Sequence, residues 1–209
     1  MLTLITQREV KGKYRKSDSL EQEYIDYLSK FGINLMPVPN NTDLVESYFN
    51  LPVTGIILAG GNDVGESINS DNTERVLLNI AIKKNIPVLG ICRGMQFINH
   101  YFKGSLSKVN NHVNVNHHIH ILDQNPVLGR NAKVNSFHNQ GVLKADLALE
   151  LKVFAESEGA EENVIEGIYH PDYSIAGIMW HPERKSPNPE INEKIINAFL
   201  NRKLYWGKK

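Results

Sequence analysis

The sequence predicts an α/β fold: an open, mostly parallel sheet flanked by helices in three layers, with an antiparallel hairpin in the C-terminal half. Three observations predict it. Short apolar runs alternate with amphipathic helical stretches up to residue 102, the pattern of parallel strands joined by crossover helices. The apolar run Val88 to Ile91 passes through Cys92 into a helical pattern, Arg93 to Phe102, so a strand leads straight into a helix. After Gly104 the segments become shorter and more polar, as in antiparallel structure.

The elements follow in order. Leu2 to Thr6 reads as the first strand, followed by a polar loop through Ser19 and a helix with Leu20, Tyr24, Tyr27, Leu28 and Phe31 on one face, ended by Gly32. Leu35 to Val38 is a second strand, Asp43 to Phe49 a short helix, and Gly55 to Ala59 a third strand opening into Gly60-Gly-Asn-Asp63. The helix Asp71 to Asn85 places Val76, Leu77, Ile80 and Ala81 together, and it ends in Lys83 and Lys84 before Pro87, where the helix dipole favours cations and proline a stop. Residues 110–120 read as a His/Asn-rich loop, with strands near Val153 and from Val164 to Tyr169. His170-Pro-Asp-Tyr173 reads as the turn of a hairpin whose second arm is Ser174 to Trp180. Asn188-Pro189 opens a closing helix with the stripe Ile191, Ile195, Ala198 and Phe199. No repeat or linker interrupts the chain, so residues 1–209 are expected to form one domain.

Composition narrows the function. The chain has 209 residues, with 23 Lys plus Arg against 23 Asp plus Glu, so no global field points to nucleic acid. A small-molecule substrate is expected. No run approaches the roughly 20 apolar residues of a membrane span, and the apolar part of the N-terminus is short for a signal peptide. The single cysteine allows no internal disulfide, which fits a reducing cytoplasm.

That cysteine stands in Gly90-Ile-Cys-Arg-Gly94, the spacing of a nucleophile elbow, where flanking glycines make room for a sharp turn that presents the central side chain. A thiol at a helix N-terminus lies by the positive end of the helix dipole, which favours thiolate, and free backbone N–H groups there can hold an oxyanion. A small buried Cys at a strand end would look the same in isolation. A base and an orienting group must accompany a nucleophile. His181 and Glu183, just past a strand end and two residues apart, offer both.

Gly60-Gly-Asn-Asp63, Gly90-Ile-Cys-Arg-Gly-Met-Gln96, Asn135-Ser-Phe-His138 and Gly177-Ile-Met-Trp-His-Pro-Glu183 together resemble the class I glutamine amidotransferase superfamily, which has a flavodoxin-like sheet. The resemblance runs from Leu2 to the last helix. It implies a catalytic triad of Cys92, His181 and Glu183, attack on a γ-glutamyl amide, and hydrolysis of a glutamyl thioester. It further implies an oxyanion hole from the amides of Gly61 and Arg93, and glutamyl binding by Gly60, Gln96, Asn135, Ser136, Phe137 and His138. Cys92-Arg-Gly-Met-Gln96 differs from the Cys-Leu-Gly-His-Gln of synthetase-linked members and is similar to free-standing peptidase C26-type γ-glutamyl hydrolases. Within these, Ile5-Thr-Gln-Arg8, His100-Tyr-Phe102 and Asn111-His112 resemble the γ-glutamyl-CDP-amidate hydrolases, which release glutamate to leave cytidine diphosphoramidate for bacterial surface sugars. Pro182 and Lys185-Ser-Pro-Asn-Pro189 look more like the general hydrolases, such as those of γ-glutamyl-GABA. A glutaminase subunit feeding ammonia to a separate synthetase, a homodimer, and an inactive binding module stay open as alternatives.

Other residues have blander expectations. Arg8, Lys11, Lys13, Arg15 and Lys16 follow the first strand, where loops of open parallel sheets border the ligand crevice; they could read a diphosphate or be a solvated loop. His112, His117, His118 and His120 lack converging zinc-ligand spacings, so no metal or other cofactor is expected. His138 is a rival base to His181 but has no carboxylate near it in sequence. Asp63 is expected to cap its own turn, Trp180 to lie in the core, and Thr73 and Glu74 to be structural.

Overall fold

The computed structural model describes residues 1–122, 128–158 and 163–203. Strand β1 (Leu2–Thr6) leads into a hairpin of β2 (Arg8–Lys11) and β3 (Lys16–Ser19), then helix α1 (Gln22–Leu28) and a 3₁₀ turn (Ser29–Phe31). Next come β4 (Asn34–Val38), α2 (Thr42–Tyr48), β5 (Val53–Leu58), α3 (Ile68–Lys84), β6 (Val88–Ile91) and α4 (Arg93–Tyr101). The remainder is β7 (Ser107–Lys108), β8 (Val113–Ile121), β9 (Asn131–Phe137), β10 (Gln140–Gly141), β11 (Lys152–Ser157), β12 (Ile165–Tyr169), β13 (Ile175–Ile178) and α5 (Pro189–Leu200).

A nine-stranded sheet in the order β4-β1-β5-β6-β13-β12-β11-β8-β9 carries the chain. From β4 to β13 neighbouring strands are parallel, and from β13 to β9 they are antiparallel. The inner parallel strands β1, β5, β6 and β13 are largely buried on both faces because alternate side chains enter different cores, whereas β4 is a partly exposed edge strand. Ile5, Ile57, Leu89 and Ile178 pack with Tyr24 and Leu28 of α1 and Ile191, Ile195 and Phe199 of α5. Leu4, Ile56, Leu58, Val88 and Ile175 pack on the other face with Val45 of α2, Leu77 and Leu78 of α3, and Met95 and Ile98 of α4. The expected three layers are present, and Trp180 is fully buried, its indole N–H donating to Asn192 Oδ1 at 3.0 Å.

Three local expectations shift. The segment after β1 is a hairpin rather than an irregular loop, with Arg8 opposite Ser19 and Lys11 opposite Lys16. Its alternating polar residues carry no apolar stripe, so periodicity gave no strand signal. Helix α3 begins at Ile68, before the expected Asp71, because Ser67 Oγ accepts from Ser70 N at 3.5 Å and Asp71 is spent on Gly65 N at 2.8 Å. Residues 113–121 form a strand, with His117, Ile119 and Ile121 turned inward and His118 and His120 exposed. The hairpin turn at 170–173 is as expected: His170 Nδ1 accepts from the amides of Asp172 at 3.0 Å and Tyr173 at 3.1 Å.

β13 decides where the chemistry goes. The chain leaves β6, builds the antiparallel strands, and returns to pair β13 parallel with β6, Gly177 opposite Gly90 and Ile178 opposite Ile91. Both strands therefore end at the same edge, which brings the residues after each of them together. Close packing there requires glycine: a Cβ on Gly94 would lie 2.0 Å from the Leu58 carbonyl oxygen, and one on Gly90 2.6 Å from the Gly94 backbone. Gly94→Ala is expected to lower stability by about 3 kcal/mol, because backbone rather than a flexible side chain must move; equilibrium denaturation measures it.

Candidate functional site

Cys92 sits between β6 and α4 at φ 52°, ψ −107°, a left-sided conformation that non-glycine residues rarely adopt. Its amide donates to Ile178 O at 2.7 Å, so the strained residue is tied to β13. The strand therefore passes into the helix through a sharp turn, with Cys92 only 8% exposed at the helix N-terminus.

His181 and Glu183 meet at this edge. His181 Nδ1 lies 2.6 Å from Glu183 Oε1, and both residues are buried. Burial alone would push the imidazole down, but the charge and hydrogen bonding of Cys92 and then of Glu183 outweigh it and lift the His181 pKa to about 10. Asn135 clamps the His181 backbone: its Oδ1 accepts from His181 N at 2.8 Å, while its Nδ2 donates to His181 O at 2.8 Å and Lys185 O at 3.1 Å. Phe137 stands edge-on to the His181 ring, with centroids 5.7 Å apart, and carries the Arg184 guanidinium on its face at 4.7 Å.

The double glycine covers the other side. A Cβ on Gly60 would come within 3.3 Å of His181 Cε1, and the Gly60 amide donates to Tyr24 Oη at 2.9 Å. Burial, with the nearby charge of Glu183, pushes the Tyr24 phenol up, so it stays protonated. A Cβ on Gly61 would lie 3.1 Å from Arg8 Cβ and 3.6 Å from Arg93 Cδ. The Arg93 side chain is buried: Nε donates to Asn62 O at 2.9 Å, and the two terminal nitrogens pair with Glu74 and Asp71. Glu74 also accepts from Thr6 Oγ1 at 2.9 Å, and that hydroxyl accepts from Ala59 N at 2.9 Å. Burial pushes the Glu74 carboxyl up against the pull of Arg93. This network fixes the first helical residue of α4 against the turn that follows β5.

Gln96 and the 135–138 segment share a wall. Gln96 Nε2 donates to Gln140 O at 2.9 Å, and Ser136 Oγ donates to His112 O at 2.7 Å. Both ring nitrogens of His138, the rival base, have other neighbours: Nδ1 donates to Gln140 O at 2.9 Å and Nε2 faces Glu166 Oε1 at 3.8 Å. So a carboxylate does stand near His138, but on a different strand, where sequence spacing could not show it. Burial pushes His112 down to about 4, and Glu166, which burial would raise, is held down at about 2 by the imidazoles of His117 and His138. Asp63 accepts from Gln140 Nε2 at 3.4 Å, while its carbonyl accepts from Glu66 N at 3.0 Å.

Sequence reasoning missed three partners. Tyr24 read only as an apolar-face residue. Glu74 lies three, four and seven positions before Leu77, Leu78 and Ala81 on the buried face of α3, a pattern that signals a paired carboxylate. Glu166 interrupts the apolar run Val164 to Ile168, the same kind of signal in a strand.

A buried cysteine on a strained strand-to-helix turn, beside a histidine backed by a carboxylate, makes comparison with known proteins decisive. The model of the peptidase C26 family matches residues 3–183. This chain belongs to the peptidase C26 family. It is 33% identical to γ-glutamyl-CDP-amidate hydrolase of Campylobacter jejuni, over 80% of each chain. It is 30% identical to a glutamine-hydrolysing GMP synthase subunit of Methanococcus maripaludis, over 84% of this chain and 87% of that one. Its fold is similar to that of a Thermoplasma acidophilum protein provisionally assigned as a GMP synthase subunit, with a TM-score of 0.73 at 20% identity over 97% of this chain and 96% of that one. The C26 family and its amidotransferase-like relatives make this a hydrolase-type chain acting on amides. No helix among the described residues is long and apolar enough to cross a membrane.

The electrostatics of His181 give a direct test. NMR titration of its imidazole is expected to show deprotonation near pH 10. Glu183→Gln and Cys92→Ala each remove a negative neighbour that favours the cation, so each is expected to move that midpoint to lower pH.

Proposed function

We propose that this chain is a cysteine-dependent hydrolase of a γ-glutamyl amide. The observation that carries the reading is the convergence, at the shared edge of β6 and β13, of Cys92 on its strained turn with the His181–Glu183 pair at 2.6 Å. The Cys92 thiolate attacks the amide carbonyl carbon. The amides of Arg93 and Gly61 hold the oxyanion, with Gly60's N–H already engaged by Tyr24. His181, protonated, gives its proton to the departing nitrogen, so the amine leaves and a glutamyl thioester remains. His181 then takes a proton from water, whose oxygen attacks the thioester; glutamate leaves and the thiolate is restored. Glu183 orients the ring and supports its charge, and Asn135 fixes its backbone. Gln96 and the backbone of Ser136 and Phe137 receive the glutamyl group, and Gly60, Asn135 and His138 shape that pocket.

For the leaving group, γ-glutamyl-CDP-amidate is favoured, giving cytidine diphosphoramidate. The relative of that name supports it. A crevice of about 440 Å³ lies between the β2–β3 hairpin and the double-glycine turn, where Arg8 and Lys11 line it together with Glu9, Asp63 and Glu66. Cationic side chains suit a diphosphate. The hairpin redistributes the basic residues: Lys16 pairs with Glu9 at 3.2 Å, Arg8 with Glu21 at 3.2 Å and Lys11 with Glu66 at 3.9 Å, and of these Arg8 and Lys11 border the crevice. A second reading, a glutaminase subunit serving a separate synthetase, is favoured by the GMP synthase relative.

The deciding experiment is glutamate release by the purified chain from glutamine, γ-glutamyl-GABA and γ-glutamyl-CDP-amidate. Strong preference for the nucleotide conjugate is expected; glutaminase activity that rises only on adding a synthetase would support the second reading. By the ranking seen in hydrolase triads, Cys92→Ala and His181→Ala are expected to remove about 10⁶-fold of turnover and Glu183→Gln about 10⁴-fold. Arg8→Ala and Lys11→Ala are expected to raise KM for the nucleotide conjugate and leave γ-glutamyl-GABA unaffected; equal effects on both would remove the diphosphate assignment.

A further inference from the structure

Behind the 135–138 segment lies a polar cluster of which the proposed chemistry uses only His138, in shaping the glutamyl pocket. Glu166, on β12, is completely buried, and neither carboxylate oxygen has a hydrogen-bond partner. Its Oε1 faces His117 Nε2 of β8 at 3.3 Å, His112 Nδ1 from the turn before β8 at 3.6 Å, and His138 Nε2 just past β9 at 3.8 Å. The His112 ring centroid is 4.8 Å from that of His117 and 4.9 Å from that of His138, so the rings converge on one point.

Hydrogen bonding between these groups does not account for the arrangement. A charge-assisted N–H···O⁻ bond spans about 2.7–2.9 Å, shorter than any of the contacts to Oε1. The His138 tautomer is also set: Nδ1 donates to the Gln140 carbonyl at 2.9 Å, and a carbonyl can only accept, so a neutral ring presents an Nε2 lone pair to a carboxylate oxygen. Lone pair against lone pair, sealed from water, is costly unless a positive charge stands between them. His138 Nε2 and both nitrogens of His117 are likewise buried without hydrogen-bond partners.

A metal ion resolves each of these features. Zinc lies about 2.0–2.1 Å from imidazole nitrogen and carboxylate oxygen, which spaces tetrahedral donors about 3.3 Å apart. The donor atoms of His112, His138 and Glu166 all lie within 4.8 Å of one another, and small side-chain movements would close them onto one ion. A ligating histidine characteristically donates its other N–H to a carbonyl, as His138 does. We propose that His112, His138 and Glu166, with His117 as the fourth donor, form a buried site for one divalent transition-metal ion of the zinc class. Imidazole and carboxylate donors suit such ions, and the closed, buried donor set is that of a structural rather than a catalytic site. The ion would tie β8, the end of β9 and β12 together. Gln140 O accepts from both His138 and Gln96, so the tie extends to the wall where Gln96 stands. The expectation of no metal, drawn from sequence spacing, failed to include Glu166 because it lies 28 positions beyond His138.

The test is a cobalt(II) titration of the chelator-treated Cys92→Ala chain, in which the thiol cannot serve as a competing ligand. One equivalent is expected to bind with the visible bands of tetrahedral cobalt, to be displaced by zinc, and to raise the melting temperature. Glu166→Gln is expected to weaken binding by more than the roughly 10–100-fold that loss of an outer-shell partner costs. His138→Asn serves the same purpose should Glu166→Gln not fold by circular dichroism. No saturable binding by the Cys92→Ala chain, or equal binding by a folded ligand variant, would overturn the site and leave a metal-free histidine–carboxylate cluster. Neither result bears on glutamate release.

Discussion

The structure depends on one backbone constraint: Cys92 must hold φ 52° between a buried strand and a helix. Such a conformation costs about 1–3 kcal/mol and persists only where its surroundings impose it. Here they do. β6 is buried on both faces, α4 packs against it through Met95 and Ile98, and the Cys92 amide is held by Ile178 O at 2.7 Å. Gly90 and Gly94 permit the approach, because a side chain at either would strike backbone. The thiol is thus presented at a helix N-terminus by a turn that cannot relax while the core is intact.

Two clamps transmit that rigidity to the site. Arg93 joins α4 to α3 and to the turn after β5 through Glu74, Asp71 and Asn62. Removing one partner of such a buried charge network typically costs about 3–5 kcal/mol, since the other charge is left uncompensated. Asn135 joins β9 to the backbone of His181 on both its N–H and C=O sides. His181 is therefore positioned from the antiparallel half of the sheet and Cys92 from the parallel half. Their meeting is a consequence of β13 returning beside β6.

The crevice proposed for the leaving group, by contrast, is built from less constrained parts. The crevice beside Gly61 is bordered by a two-stranded hairpin outside the main sheet, whose charged pairs are largely exposed, as in Arg8–Glu21 and Lys11–Glu66. Exposed pairs contribute little to stability, so side chains there can vary without disturbing the elbow. Relatives that align over 80% or more of this chain carry names as different as γ-glutamyl-CDP-amidate hydrolase and glutamine-hydrolysing GMP synthase.

By itself the sequence determined the parallel half of the fold and the strand-to-helix turn at Cys92, because each is a local pattern, and it placed His181 and Glu183 two positions apart just past a strand end. Apolar runs of β5 and β6, the glycine spacing around Cys92, and two polar residues just past a strand end are all legible within a few positions. The hairpin β2–β3 and strand β8 were not, since their residues carry no continuous apolar period. Only the tertiary structure decided that Asn135 braces His181, that Tyr24 engages Gly60, and that Arg93 is neutralised by Glu74 and Asp71. It alone brought Glu166 against His112, His117 and His138. The physical reason is common to all of these: contacts between buried polar groups on separate strands and helices are set by sheet order and register, and neither leaves a periodic trace in the chain.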